Sequence, residues 1–179
     1  MGKSEQVLIG LGANRGDRIA SLASAVRMLA RRGVKVKKVS SVYLTEPVGV
    51  KGQPWFHNAA VAASTRRSPG SLLCLMHSIE RGLGRNRRAG PRTIDLDLLL
   101  HGSRVGVERG VVVPHPRLHE RAFALVPGAD AAPSAVHPVL GAAVKGLLAH
   151  LKTTDRVKRL PLSDQRRFRI LLGPAGSRA

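Results

Sequence analysis

An α+β sandwich, an antiparallel sheet with helices packed on it, is the fold class this chain predicts. Three observations lead there. Several short segments alternate apolar and polar residues, the period of a strand, and two segments repeat apolar residues every three to four positions, the period of a helix. Their order is β-α-β-β-α-β, which suits helices segregated to one face of an antiparallel sheet, the ferredoxin-like arrangement. A chain of 179 residues with 43% apolar content can bury one core.

Gln6 to Leu11 is a short apolar run that ends at Gly12-Ala13-Asn14-Arg15-Gly16-Asp17, hence a strand and a turn. Ile19, Leu22, Ala23, Val26, Leu29 and Ala30 follow at helical spacing, and Gly33 marks the stop. Val34 to Leu44 is β-branched and interleaved with lysines, so it reads as one strand. Two prolines and two glycines between Thr45 and Pro54 give an irregular loop, followed by a strand over Phe56 to Ala63. Ser68-Pro69 starts a second helix, with a capping hydroxyl and a proline at the first helical position. Leu72, Leu73, Leu75, Met76 and Ile79 form its apolar stripe up to Gly82. A basic loop over Leu83 to Pro91 leads into a strand in which Ile94, Leu96, Leu98 and Leu100 share the apolar face. A hairpin is expected around Ser103 to Val113, and short helices near Leu118–Val126 and Pro138–Leu151. This gives a domain over 1–151 and a basic extension over 152–179.

Composition narrows the function classes. A lone Cys74 excludes an internal disulfide and a cysteine-built zinc site. The first residues lack the apolar core of a secretion signal, and no apolar run approaches the ~18 residues of a membrane span. A cytoplasmic protein with no membrane partner is expected. Thirty Lys and Arg against eleven Asp and Glu give a net charge of +19, a field that attracts polyanions. Eight of the thirty lie beyond residue 151, so much of the excess reads as a solvated tail. With only five aromatic residues there is little to stack bases on, and nucleic acid is not the expected partner.

The chemistry concentrates at Asp95 and Asp97. Two apart on a strand, they share a face at roughly 6–7 Å. Bare, they repel by about 2–3 kcal/mol at an effective dielectric of 20. A divalent cation with oxygen ligands relieves that repulsion. Arg85, Arg87, Arg88 and Arg92 precede the pair, and His115 and Arg121 follow it. Guanidinium groups bind phosphate oxygens two at a time, so the cluster points to a Mg²⁺–polyphosphate site. The Gly10-Leu11-Gly12 run lacks the third glycine of a dinucleotide fingerprint, and no phosphate loop is present. His115 and His119 are four apart, but Pro116 interrupts the helix that would make them a chelate. Trp55, Phe56 and Phe123 can supply rings for a flat heterocycle, and Asn58 can read its edge.

Together these segments resemble the 6-hydroxymethyl-7,8-dihydropterin pyrophosphokinases of folate biosynthesis. The likeness is carried by Gly10 to Asp17, Ser41 to Gly49, Gln53 to Ala59, Ile79 to Arg85, Gly90 to Leu98 and Pro114 to Phe123, and it covers about residues 6 to 151. It implies a ferredoxin-like fold with mobile loops over the active site. It also implies transfer of pyrophosphate from ATP to the pterin hydroxymethyl group, with release of AMP. Asp95 and Asp97 would hold two Mg²⁺ ions, and Arg85 and Arg92 would join them in catalysis. Arg85, Arg92, His115 and Arg121 would contact the nucleotide, with His77, Glu80 and Leu98 near it. Phe56 and Phe123 would sandwich the pterin, lined also by Thr45, Val48 and Asn58. The proton of the attacking hydroxyl would pass to Asp97 or to solvent. Two features depart from the family pattern: a loop from Arg85 to Gly90 about three residues short, and Ala89 where tryptophan is usual. A salt-sensitive nucleic-acid module and an Asp-x-Asp glycosyltransferase are the rival readings. The second needs a larger nucleotide-sugar domain than this chain offers.

Overall fold

In the computed structural model, which describes residues 3–48, 52–84 and 90–176, the sheet is built around two long antiparallel strands. These are β1 (Glu5–Ala13) and β4 (Phe56–Thr65), paired from Glu5↔Thr65 to Ala13↔His57. β5 (Asp95–His101) flanks β1, and β3 (Tyr43–Thr45) and β2 (Lys35–Val39) lie one after the other along the far side of β4. β8 (Val157–Arg159) pairs with β3, so the order is β5-β1-β4-β3-β8. This is an α+β, ferredoxin-like fold.

Both frame helices start where capping chemistry allows. α1 (Arg18–Arg31) begins at Asp17, whose Oδ1 accepts from the Ala20 N–H at 3.1 Å. α2 (Pro69–Gly82) begins at Ser68, with Pro69 in the first turn. Val7, Ile9, Leu11 and Ala13 of β1 point to this helical layer and bury against Leu22, Val26, Leu72, Met76 and Ile79. The opposite face of the sheet carries a second cluster, in which Leu8, Ala60, Leu99 and Leu100 meet α3 (Ala122–Ala131) and α4 (Val144–His150). Helices therefore cover both faces and are not segregated to one. β6 (Gly106–Glu108) and β7 (Val111–Val113) form the expected hairpin.

Three further expectations change. The run from Val34 to Leu44 is two strands, broken where Ser40 turns its hydroxyl onto the Ala60 N–H at 2.8 Å. Gln165 then occupies the Val42 backbone, accepting from its N–H at 3.0 Å and donating to its carbonyl at 2.8 Å. Leu100 leaves the apolar face it was expected to share with Leu98, because the β1–β5 register shifts between Leu8 and Ile9. Leu99 already shares the face of Asp95 and Asp97, and the extra residue of that irregularity turns Leu100 to the same side, into the second cluster. Most consequentially, the basic stretch after residue 151 is not a solvated tail. β8 extends the sheet, and α5 (Leu162–Leu172) lays Phe168, 1% exposed, and Leu172 into the main core beside α1. Arg167 pairs with Asp17, and Arg27 donates to the Leu171 carbonyl. Burying one Phe and one Leu is worth about 1.5–3 kcal/mol each, while Arg166, Arg167 and Arg169 on the other face of α5 stay in water.

Candidate active site

Strand period and pairing register assemble the site. With the odd positions of β1 committed to the helices, Gly10 and Gly12 face the other way. The register sets Gly12 between Asn58 and Asp95, and Gly10 between Ala60 and Asp97. Two glycines on the central strand thus make a low floor, over which Leu99 packs at Gly10 and the Asn58 amide at Gly12. The low floor matters at Gly12, where a Cβ would stand 2.7 Å from Asn58 Oδ1. Above this floor lies a cavity of about 580 Å³, the size of a small-molecule site. Thr45, Glu46, Pro47, Val48 and Gln53 line one part of it, and Phe56 and Asn58 another. Arg92, Asp95, Asp97, His115, Arg117, Arg121 and Phe123 complete it.

Its electrostatics follow from crowding. Burial, then the neighbouring Asp95 charge, pushes the Asp97 carboxyl up to about 6, against the pull of Arg121. Arg92 sits on Asp95 as an ion pair. Burial and then the Arg121 charge lower the His115 pKa, so its ring is neutral at pH 7. Its Nδ1 accepts from the Arg117 N–H at 3.1 Å, which places the ring proton on Nε2. Nε2 lies 3.4 Å from Arg121 Nη1, a contact between two donors and hence no hydrogen bond. His115 therefore offers a neutral N–H next to the arginines. Arg121 also lies over the Phe123 ring, 5.5 Å from its centroid. Asn58 donates to Thr45 Oγ1 at 2.6 Å, which orients its amide.

A family model described as 7,8-dihydro-6-hydroxymethylpterin-pyrophosphokinase (HPPK) matches residues 8–133. The chain belongs to this family. It is 48% identical over 147 residues to the 2-amino-4-hydroxy-6-hydroxymethyldihydropteridine pyrophosphokinase of Methylorubrum extorquens, covering 80% of this chain and 91% of that one. The enzyme of the same name from Bacillus subtilis is 47% identical over 125 residues, covering 68% of this chain and 75% of that one. The folic acid synthesis protein fol1 of Pneumocystis carinii is 36% identical over 160 residues; 88% of this chain is covered, but only 22% of that much longer protein. Among solved structures, Plasmodium falciparum HPPK-DHPS with pteroate superposes at a TM-score of 0.70 and 15% identity, over 83% of this chain and 44% of that one, a likeness of fold. The activity is the family's, pyrophosphate transfer to 6-hydroxymethyl-dihydropterin in folate synthesis.

Of the residues expected from the sequence, Thr45, Val48, Phe56, Asn58, Arg92, Asp95, Asp97, His115, Arg121 and Phe123 line this HPPK cavity together. Arg85, with Arg87, Arg88 and Ala89, lies outside the described residues. His77, Glu80 and Leu98 are not among the lining. Leu98 points into the helical core, and Glu80, 2% exposed, accepts from the Leu96 N–H at 2.8 Å, holding β5 from behind. His115 and His119 part, as expected of a broken helix: His119 turns edge-on to His137, 6.4 Å away. Trp55 is absent from the lining and lies instead under the Arg156 guanidinium.

Sequence reasoning missed Asn14. It is 3% exposed and ties two loops to the end of β1. Its amide donates to Gln53 Oε1 at 3.1 Å and to the Pro54 carbonyl at 3.2 Å, and its Oδ1 accepts from the Arg92 N–H at 2.6 Å. A signal was present: an asparagine directly after an apolar strand, at the head of a turn.

Proposed function

We propose that the cavity holds Mg²⁺-ATP and 6-hydroxymethyl-7,8-dihydropterin side by side and releases AMP and the pterin diphosphate. The carrying observation is that two crowded carboxylates, three arginines and two aromatic rings share one cavity. Asp95 and Asp97 fit the metal on this structure's own terms. Asp97 is held near a pKa of about 6 by burial and by its neighbour, a strain that a cation would relieve. Among the described residues no group of three metal-ligating side chains gathers. Two carboxylates, with water and phosphate filling the remaining positions, is the usual Mg²⁺ donor set. Bound there, Mg²⁺ would neutralise phosphate charge as it shifts toward the leaving AMP.

The rest falls to the chain's own groups. Arg92 and Arg121 bind phosphate oxygens; Arg92, which rests on Asp95 in this structure, would be free to turn to them once Asp95 is committed to a cation. His115 donates Nε2–H to a phosphate or ribose oxygen. Phe56 and Phe123 hold the flat pterin, while Asn58 and Thr45 pair with its edge. The nucleophile is the substrate's own hydroxyl, so positioning does most of the work and no protein nucleophile is needed. The test is product analysis. ATP, Mg²⁺ and the pterin alcohol should yield AMP and a pterin diphosphate; formation of ADP, or no nucleotide turnover, would sink the proposal.

A further inference from the structure

We propose that Arg156 is a positioning residue for the pterin end of the cavity. The inference rests on the pyrophosphokinase reading above. Arg156 immediately precedes β8, which pairs with β3 in the register Thr45↔Val157 and Leu44↔Lys158. It therefore sits beside the point where the chain leaves β3 through Glu46, a residue lining the cavity. Its Nε donates to Glu46 Oε1 at 2.9 Å, its Nη2 donates to the same oxygen, and its backbone N–H reaches Oε2 at 3.4 Å. The ladder continues as the Glu46 N–H donates to the Arg156 carbonyl at 3.4 Å. The same guanidinium lies 5.2 Å from the centroid of the Trp55 ring.

Glu46 follows Thr45, and Trp55 precedes Phe56. One side chain thus grips the residues adjoining two groups assigned to the pterin, on two neighbouring strands. Trp55 is held a second time, its carbonyl accepting from Arg18 at 3.0 Å. The Glu46 carboxyl is kept below its ordinary range chiefly by the Arg156 hydrogen bonds, so the pair is charged at neutral pH. Arg156 itself is 65% exposed, so its removal touches no core and the variant should fold. Planarity matters: a guanidinium can fork onto a carboxylate and stack on a ring at once, which an ammonium cannot.

Steady-state kinetics on the full chain test this. Arg156→Ala should raise the KM for the pterin about fivefold, the scale of weak exposed ionic and ring contacts. The KM for ATP and kcat should stay within about twofold, the signature of a pterin-side effect. Arg156→Lys should recover less than half of the loss. Because the pair is exposed, the ratio of variant to wild-type pterin KM should shrink toward one in about 1 M salt. An unchanged pterin KM in Arg156→Ala overturns the inference, as does an Arg156→Lys variant equal to wild type. So does a parallel rise in both KM values with a lowered Tm, which would mark general loosening. If the wild type forms no AMP, it is the pyrophosphokinase reading that fails; a wild type that turns over beside an unaffected Arg156→Ala refutes the positioning role alone.

Discussion

Replacing Asp97 by Asn should stabilise the metal-free protein while disabling it. Burial, with Asp95 beside it, raises the Asp97 pKa from an ordinary 3.8 to about 6. The folded state therefore keeps a proton that the unfolded chain gives up near 3.8. That contribution to stability is full below about pH 3.8 and is lost once the pH passes the folded value near 6. A shift of roughly 2 units at ~1.4 kcal/mol each puts the cost of ionised Asp97 near 3 kcal/mol above pH 7. An amide carries no charge to desolvate but still buries polar atoms, so a net gain of about 1–3 kcal/mol is expected. Urea denaturation at pH 7.5 with EDTA should show a higher midpoint for Asp97→Asn with an unchanged slope. The advantage should narrow as the pH falls from 7 toward 4. Added Mg²⁺ should raise the wild-type midpoint by linkage and leave the variant where it was. A variant less stable than wild type at pH 7.5 without metal, or two pH profiles that run parallel, would refute the reasoning.

Phe168→Ala should cost about 3–5 kcal/mol in urea unfolding, the usual penalty for emptying a buried aromatic site; a tail that merely trails in solvent would show none. Gly12→Ala should raise the pterin KM at least tenfold with little change in Tm, because its Cβ would meet Asn58 Oδ1 at 2.7 Å and dislodge the amide from Thr45. His57 is buried with Nδ1 unpartnered among the described residues, and burial, then Arg18, lowers its pKa to about 4. The unfolded chain then takes up a proton near pH 6.5 that the folded state refuses, so the His57 contribution to stability, opposite in sign to that of Asp97, is flat above that pH and falls between 6.5 and about 4. His57→Gln should flatten that fall in an acid titration followed by circular dichroism.

Local rules carried much of the fold. The capped helices at Asp17 and Ser68, and the carboxylate face of β5, follow from period and termini alone, because neighbouring residues decide them. The break at Ser40 does not: it depends on the Gln165 side chain, more than a hundred positions away, satisfying the Val42 backbone. The bulge beside Leu99 is also nonlocal, since the space over Gly10 on a different strand receives that side chain. In the tail, four apolar residues, Leu160, Phe168, Leu171 and Leu172, were outweighed on the page by arginines, although a helix needs only one greasy stripe to bury. At the site, the residues whose types announce their chemistry were legible. Asn14 and Arg156 were not, because their roles lie in which loops they join.

The outer border of the sheet has a consequence for how copies of this chain meet. Beyond β4 and β3 it ends in two short strands, Lys35-Val36-Lys37-Lys38-Val39 and Val157-Lys158-Arg159. A free border of unpaired amides is a template for fibre growth, and lysines on short stretches are among the defences proteins use. Docking a second molecule there would bring rows of ammonium groups face to face. The same excess of positive charge that attracts polyanions thus also discourages neighbours from zipping together.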